Sequence, residues 1–288
     1  MDIKKEMVKF LPQRNQDTHK GDYGHVFVLA GSKGLTGAAT LCSLAVLRVG
    51  AGLVTLGIPE SLNPILEIKL TEVMTLPLPE TKEASLGFKA KDKILDFLKK
   101  CDCIIVGPGL SRNKETQELA RFLLKKIDLP IVLDADGINA LEGYKKILEE
   151  IKSDLILTPH IGEFSRLTGI SIEKIKENKI SVVKNFLKSY NMTLVLKGYQ
   201  TIVAQQDKEI YINKTGNPGM ASAGSGDVLT GMIGGFLAQK ISPFESAKLG
   251  VYLHGLAGDL AKKEKTDYGL IASDILENIP KAIKRLLA

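Results

Sequence analysis

The sequence predicts an α/β fold: a three-layer α/β/α arrangement with a mostly parallel central sheet and an antiparallel edge meander. Three observations predict it. Short apolar, β-rich runs recur at 25–30, 53–58, 103–106, 130–133 and 154–157, the length of strands buried on both faces. Segments with helical spacing separate most of them, the order of a parallel sheet crossed by helices. Glycine- or acid-bearing loops follow several strands, at 31–37, 107–109, 134–137 and 158–163, on the edge where open α/β sheets place ligands.

In order along the chain, the first twenty-odd residues are polar, with helix-like Met7, Phe10 and Leu11, and read as an N-terminal arm. The strand at 25–30 ends in the turn GSKGLTG, and AATLCSLAVLRVG then begins a helix apolar nearly all round, which implies burial on most sides. The turn matches neither GxxxxGK[ST] nor GxGxxG, so neither a P-loop nor a dinucleotide fingerprint is present. After the strand at 53–58, residues 59–88 show no assignable register. Residues 90–100 form a helix burying Ile94, Phe97 and Leu98, and the strand at 103–106 ends in GPGLS.

A helix at 115–127 and a strand at 130–133 lead to a turn with two acids, Asp134 and Asp136. The strand at 154–157 ends in TPHIGE, so His160, Glu163 and Asp136 all follow strand ends and can face one cleft. A Lys-rich helical segment to about residue 190 reads as a solvated outer layer. TLVLK, TIVAQ and EIYIN are alternating runs of an edge meander. Near the end, Ser242-Pro243-Phe244-Glu245 is a capping box opening a helix to about Ala261, and two short amphipathic segments close the chain. No repeat or linker interrupts residues 1–288, which are expected to form one domain.

The stretch 216–238, GNPGMASAGSGDVLTGMIGGFLA, holds seven glycines and one carboxylate, Asp227. Glycines let backbone N–H groups converge, and a helix start adds unpaired donors, so this is a candidate phosphate cradle. The alternative is a glycine-rich turn with Asp227 as a helix cap. Gly231, Gly234 and Gly235 inside the following helix call for close packing, which Gly250, Gly255, Ala257 and Gly258 are expected to supply.

Composition narrows the classes. Hydrophobic residues make up 44% of 288, enough for a sizeable core. Lys and Arg number 39 against 33 Asp and Glu, without blocks of like charge, which argues against a nucleic-acid surface and suits small anions. The opening residues lack an apolar signal region and no run of about eighteen apolar residues occurs, so a cytoplasmic protein with no membrane partner is expected. Cys42, Cys101 and Cys103 are too few for a disulfide framework and lack companions for zinc.

HKGDYGHVFVLAGS, GPGL, LDADGINAL, LTPHIGEFSRLTG, LKG with Thr201, and NPGMASAGSGDVLTG occur in the order found in the NAD(P)H-hydrate dehydratases, a branch of the ribokinase-like superfamily, which the chain resembles. The resemblance implies a repair lyase that dehydrates the S form of hydrated NADH or NADPH at the expense of ADP or ATP; the stand-alone bacterial members similar to this chain generally use ADP. It implies Asp227 as base, with N–H groups around Ala223, Gly224, Ser225 and Gly226 stabilising the transferred phosphoryl group. Ala38, Ala39, Gly109, His160 and Asp227 would line the hydrated-nicotinamide site. Lys197, Gly198, Thr201, Asn217 and Gly226 would contact the nucleotide. Glu163 would hold Mg2+ through water, because that ion dehydrates reluctantly. A homo-oligomer, a tetramer, is also implied.

Two other readings stand beside this one. A vitamin-precursor kinase, such as a hydroxyethylthiazole kinase, would share the GSGD base and anion hole; PHIGE and HKGDYG favour the dehydratase, as does His160, which stands where sugar kinases of the superfamily carry asparagine. A non-catalytic nucleotide sensor is opposed by Asp227, Glu163 and the intact glycine cradle.

Overall fold

In the computed structural model, which describes residues 3–288, the apolar runs become neighbouring strands of one sheet. The elements in chain order are α1 (Ile3–Phe10), β1 (His25–Leu29), α2 (Thr36–Arg48), β2 (Leu53–Pro59), α3 (Asn63–Lys69), β3 (Met74–Leu78), α4 (Lys91–Leu98) and β4 (Cys103–Val106). There follow α5 (Lys114–Leu124), β5 (Ile131–Leu133), α6 (Ala135–Asn139), β6 (Leu155–Leu157), α7 (Ile161–Thr168), α8 (Ile172–Glu177), α9 (Lys179–Leu187) and β7 (Thr193–Leu196). The chain ends with β8 (Ile202–Gln205), β9 (Tyr211–Ile212), α10 (Ser225–Ala238), α11 (Pro243–Gly269) and α12 (Ala272–Leu287).

Among the described residues the sheet has nine strands in the order β3-β2-β1-β4-β5-β6-β7-β8-β9. Pairing is parallel from β3 through β7 and antiparallel at β7–β8 and β8–β9, as expected for an edge meander. Side chains alternate across the pleat. Phe27, Leu29, Ile104 and Val106 point to one face, where they meet Leu119, Leu123 and Phe164. Val26, Val28, Ile105 and Val132 point to the other, under Val46, Leu229 and Ile233. Helices α11 and α12 pack outside α10, through Leu249, Leu253, Ile275 and Ile279. The chain winds from β1 out to β3 and then returns beside β1 with β4, so strand order reverses at the β1–β4 crevice, the usual place for a ligand in an open α/β sheet.

Several local expectations change. The glycines of α10 do meet close neighbours, but mostly on α2 and the sheet, not on α11. A Cβ at Gly231 would lie 2.2 Å from the carbonyl oxygen of Cys42, one at Gly235 2.4 Å from Val49 Cγ2, and one at Gly234 2.5 Å from Ile105 Cδ1. Of the glycines assigned to receive them, Gly250 faces Ile233, whereas Gly255 faces Thr215 and Gly258 faces Met220. Asp134 and Asp136 belong to the entry into a short helix, α6, rather than a simple turn. The Lys-rich segment before residue 190 is not merely a solvated layer, because Ile175, Val183, Phe186 and Leu187 are buried. Phe97 is only partly buried, edge-on to His25 and tilted against Phe27. Helix α11 runs on to Gly269 across a kink at Thr266, and β9 is just two residues long.

Candidate active site

Helix α10 begins at a left-handed residue, Gly224, with φ of 90°. A side chain there would strike Leu41 Cδ1 at 2.5 Å and Ala272 Cβ at 3.0 Å, so both conformation and space require glycine. No side chain caps this helix. The Ser225 N–H is given to the Ser222 carbonyl at 3.3 Å, which leaves the cradle to the first-turn groups beyond it. Asp227 is the third residue of α10 and does not cap it. Its pKa is pushed up to about 7 by burial first and by Asp134, Glu163 and Asp136, against the opposing charge of Lys197. The helix behind is apolar on nearly every side, with Val228, Leu229, Met232, Ile233 and Phe236 buried, so the site rests on a rigid support.

Lys197 follows β7, where its amide donates to the Pro159 carbonyl at 2.8 Å and so extends the sheet beside His160. Its ammonium is 2.6 Å from Asp134 Oδ1. A Cβ on Gly226 would lie 3.3 Å from the same nitrogen, which places Lys197 at the mouth of α10. Burial alone would lower the lysine pKa, but Asp134 and Glu163 outweigh it and hold the pKa above its ordinary value.

His160 caps α7. Its Nδ1 accepts from the amides of Gly162 at 2.9 Å and Glu163 at 3.2 Å, while Glu163 Oε2 accepts from the His160 amide at 2.8 Å, a capping box. With Nδ1 an acceptor, the neutral ring carries its proton on Nε2, 3.3 Å from Glu163 Oε1. Burial, then Lys197 and Arg166, lower the histidine pKa and favour this neutral form. Glu163 is 6% exposed, and burial is the main cause of its raised pKa.

The other expected residues divide among three places. Gly109, with φ of 63°, lies at the β1–β4 crevice beside α2: its missing Cβ would be 3.1 Å from Ala38 Cβ. Ser32 Oγ donates to the Gly109 carbonyl at 2.9 Å and fixes this wall. Ala39 is fully buried, facing Gly31. Gly198 and Thr201 close the β7–β8 loop on each other, with Thr201 Oγ1 donating to the Gly198 carbonyl at 2.9 Å. Asn217 is committed away from the site: Oδ1 accepts from Gly219 in its own loop and Nδ2 donates to Asp259 Oδ1 on α11 at 3.0 Å. Asp227, Gly226, Lys197, His160 and Glu163 are linked by the contacts and charge interactions above; Asn217 is joined by hydrogen bonds to α11 instead.

Three further residues of the site carry no distinguishing motif. In sequence Asp134 is only one of two acids in a turn; Asp136 is the one occupied locally, accepting from the Ser111 amide at 2.9 Å and from Asn139 Nδ2 at 3.1 Å. Thr230 is a polar residue at helical spacing from Asp227, and its hydroxyl donates to Asp134 Oδ2 at 2.7 Å. His254 is buried, neutral with a pKa of about 4 because of that burial, and has Nε2 2.9 Å from the Ser225 carbonyl. A lone polar group on an apolar helix face was the available signal for the last two.

Among the described residues no group of at least three His, Cys, Asp or Glu is placed to hold a metal ion, and no helix is long and apolar enough to cross a membrane.

Comparison with known proteins gives the family. The chain is 44% identical over 276 residues to a bifunctional NAD(P)H-hydrate repair enzyme of Moorella thermoacetica, covering 96% of this chain and 52% of that protein. It thus spans about half the length of the first curated relatives it matches. An ADP-dependent (S)-NAD(P)H-hydrate dehydratase of Bacillus subtilis is 34% identical over 277 residues, 96% of this chain and 94% of the relative. The crystal structure of an ADP/ATP-dependent NAD(P)H-hydrate dehydratase from Bacillus subtilis, co-crystallized with ATP/Mg2+, superposes with a TM-score of 0.85 at 32% identity, covering 98% of this chain and 97% of that one. Residues 26–281 match the family described as NAD(P)H-hydrate dehydratase, and the chain belongs to that family.

Proposed function

We propose that this chain dehydrates the S form of hydrated NADH or NADPH, using ADP or ATP as phosphoryl donor. The observation that carries the reading is Asp227: a carboxylate with a pKa of about 7 in the first turn of an uncapped helix, beside the Lys197 ammonium. A base poised near neutrality next to free N–H donors suits attack of a hydroxyl on a phosphoryl group.

Asp227 takes the proton of the substrate's ring hydroxyl as its oxygen forms a bond to the terminal phosphorus, and the bond from that phosphorus to the nucleotide's bridging oxygen breaks. ADP leaves as AMP, or ATP as ADP. The ring carbon–oxygen bond then breaks, phosphate departs with the electron pair, and the released phosphate takes a proton from the neighbouring ring carbon, which restores the double bond. Phosphorylation serves this step because phosphate is a far better leaving group than hydroxide. The amides at the start of α10 and the Lys197 ammonium stabilise the phosphoryl charge, while Ala38, Gly109 and the Nε2–H of His160 orient the hydrated ring.

Glu163, a buried carboxylate that interacts electrostatically with Lys197 and Asp134, supplies the hard oxygen that suits a dication accompanying a polyphosphate. With no direct three-ligand cage among the described residues, Glu163 would hold Mg2+ through water and the ion would offset phosphate charge. The proposed enzyme forms one domain, acts in the cytoplasm, and assembles as a homo-oligomer, the tetramer that family resemblance implies.

The test is recovery of reduced-nicotinamide absorbance from hydrated NADH with ADP or ATP and magnesium, together with release of inorganic phosphate. Absorbance recovery with one phosphate per turnover is expected. A stable phosphorylated product would make the chain a kinase, and no reaction with either nucleotide would remove the reading.

A further inference from the structure

Asp134 has no part in the steps above, yet it joins the elements that carry them. It stands between β5 and α6, is 1% exposed, and donates its amide to the Val106 carbonyl at 3.0 Å. Its own carbonyl oxygen would be 1.8 Å from a Cβ on Gly107, so β4 can approach it only with glycine there. One carboxylate oxygen is 2.6 Å from Lys197 Nζ and the other 2.7 Å from Thr230 Oγ1. Thr230 is fully buried and three residues beyond Asp227, hence on the same side of α10. The next residue, Ala135, has φ of 46°, a conformation unfavourable for a residue with a Cβ and retained where surroundings dictate it.

We propose that Asp134 is the positioning residue of this site, clamping the Lys197 ammonium and the Thr230 hydroxyl together so that the end of β7 and the start of α10 keep one spacing. The proposal rests on the dehydratase reading and deepens it. A lysine head on a flexible four-carbon stem needs such an anchor to act as a fixed charge. Desolvating an ion pair offsets most of its attraction, so specifying geometry is the better account of a pair buried here.

The groups that interact electrostatically with Asp227 come from several elements: Cys42 on α2, Asp134 and Asp136 at α6, Glu163 on α7 and Lys197 after β7. His160 and His254 interact electrostatically with Lys197. Replacing Asp134 removes a carboxylate that raises the Asp227 pKa and frees a lysine that lowers it, so the two effects have one sign.

Two readouts test the proposal. In steady-state kinetics, Thr230→Val is expected to lose about tenfold in kcat with KM for ADP little changed, and Thr230→Ser to restore kcat. In carboxyl 13C NMR titrations, with the Asp227 signal assigned by its loss in Asp227→Asn, Asp134→Asn is expected to move that titration to lower pH. The Asp134→Asn/Lys197→Met double variant, which removes both members of the buried ion pair and serves if the single variant does not fold, is expected to titrate between parent and single variant. Wild-type kcat in Thr230→Val, or an Asp227 titration that ignores both Asp134 replacements, overturns the proposal. The titration needs no turnover: a parent chain inactive on hydrated NADH whose Asp227 still moves as stated faults the dehydratase reading and upholds the clamp.

Discussion

At Asp227, burial and the carboxylates of Asp134, Glu163 and Asp136 outweigh Lys197 and raise the pKa from 3.8 to about 7. As a base it works only when deprotonated, so kcat/KM is expected to rise with pH and level off above about pH 7. A pH–rate profile checks this, and a flat profile between about pH 5 and 8 contradicts it. The same shift has a stability consequence of opposite sense. A carboxyl group whose pKa is higher folded than unfolded favours the fold fully below about pH 4, and that contribution is lost as pH rises through about 7. Holding the ionised form at about pH 8 costs about 4 kcal/mol. Asp227→Asn, which cannot ionise, is therefore expected to melt several degrees above the parent at about pH 8 and level with it at about pH 4, read by calorimetry. The role proposed for Asp227 was legible because a lone acid followed GSG at a helix start. That of Asp134 was not, because its partners Lys197 and Thr230 are distant in sequence and meet it only through the β5, β7 and α10 geometry.

Helix α10 owes its placement to the absence of side chains where it crosses α2. Gly231→Ala would press a methyl onto the Cys42 carbonyl, at 2.2 Å in the present geometry, and is expected to lower unfolding stability by about 2 kcal/mol or more in urea titrations. Gly37→Ala, with nothing within 4 Å of the new methyl and a helical position in α2, is the contrasting case and is expected to be neutral or to stabilise by about 0.5–1 kcal/mol. That α10 needed a close neighbour could be read from its glycines; which neighbour could not, since α2, α11 and α12 all present small residues. The central strands were legible because both faces of each are buried and their runs are continuously apolar. Residues 59–88 were not: α3 leaves Ile65 and Ile68 exposed, and β3 is an edge strand with Pro77 within it, so apolar and buried positions part company.

Across the whole molecule, strand order and helix starts act together. The reversal between β1 and β4 opens a crevice lined by Ala38 and Gly109, and the loops after β5, β6 and β7, with the first turn of α7, bring Asp134, His160, Glu163 and Lys197 to the same edge of the sheet. Helix α10, buried under α11 and α12, delivers Asp227 to that edge from the opposite layer. The order of loops was readable from the strand ends, whereas the participation of α11 through His254 and Asp259 depended on how the last helices fold back. This convergence is proposed to make Asp227 the base, and the most direct measurement compares turnover of hydrated NADH by the parent chain and by Asp227→Asn, with ADP binding by each determined calorimetrically. The predicted result is retained ADP binding with kcat reduced about a thousandfold; a variant that binds ADP and turns over within a few fold of the parent would contradict it.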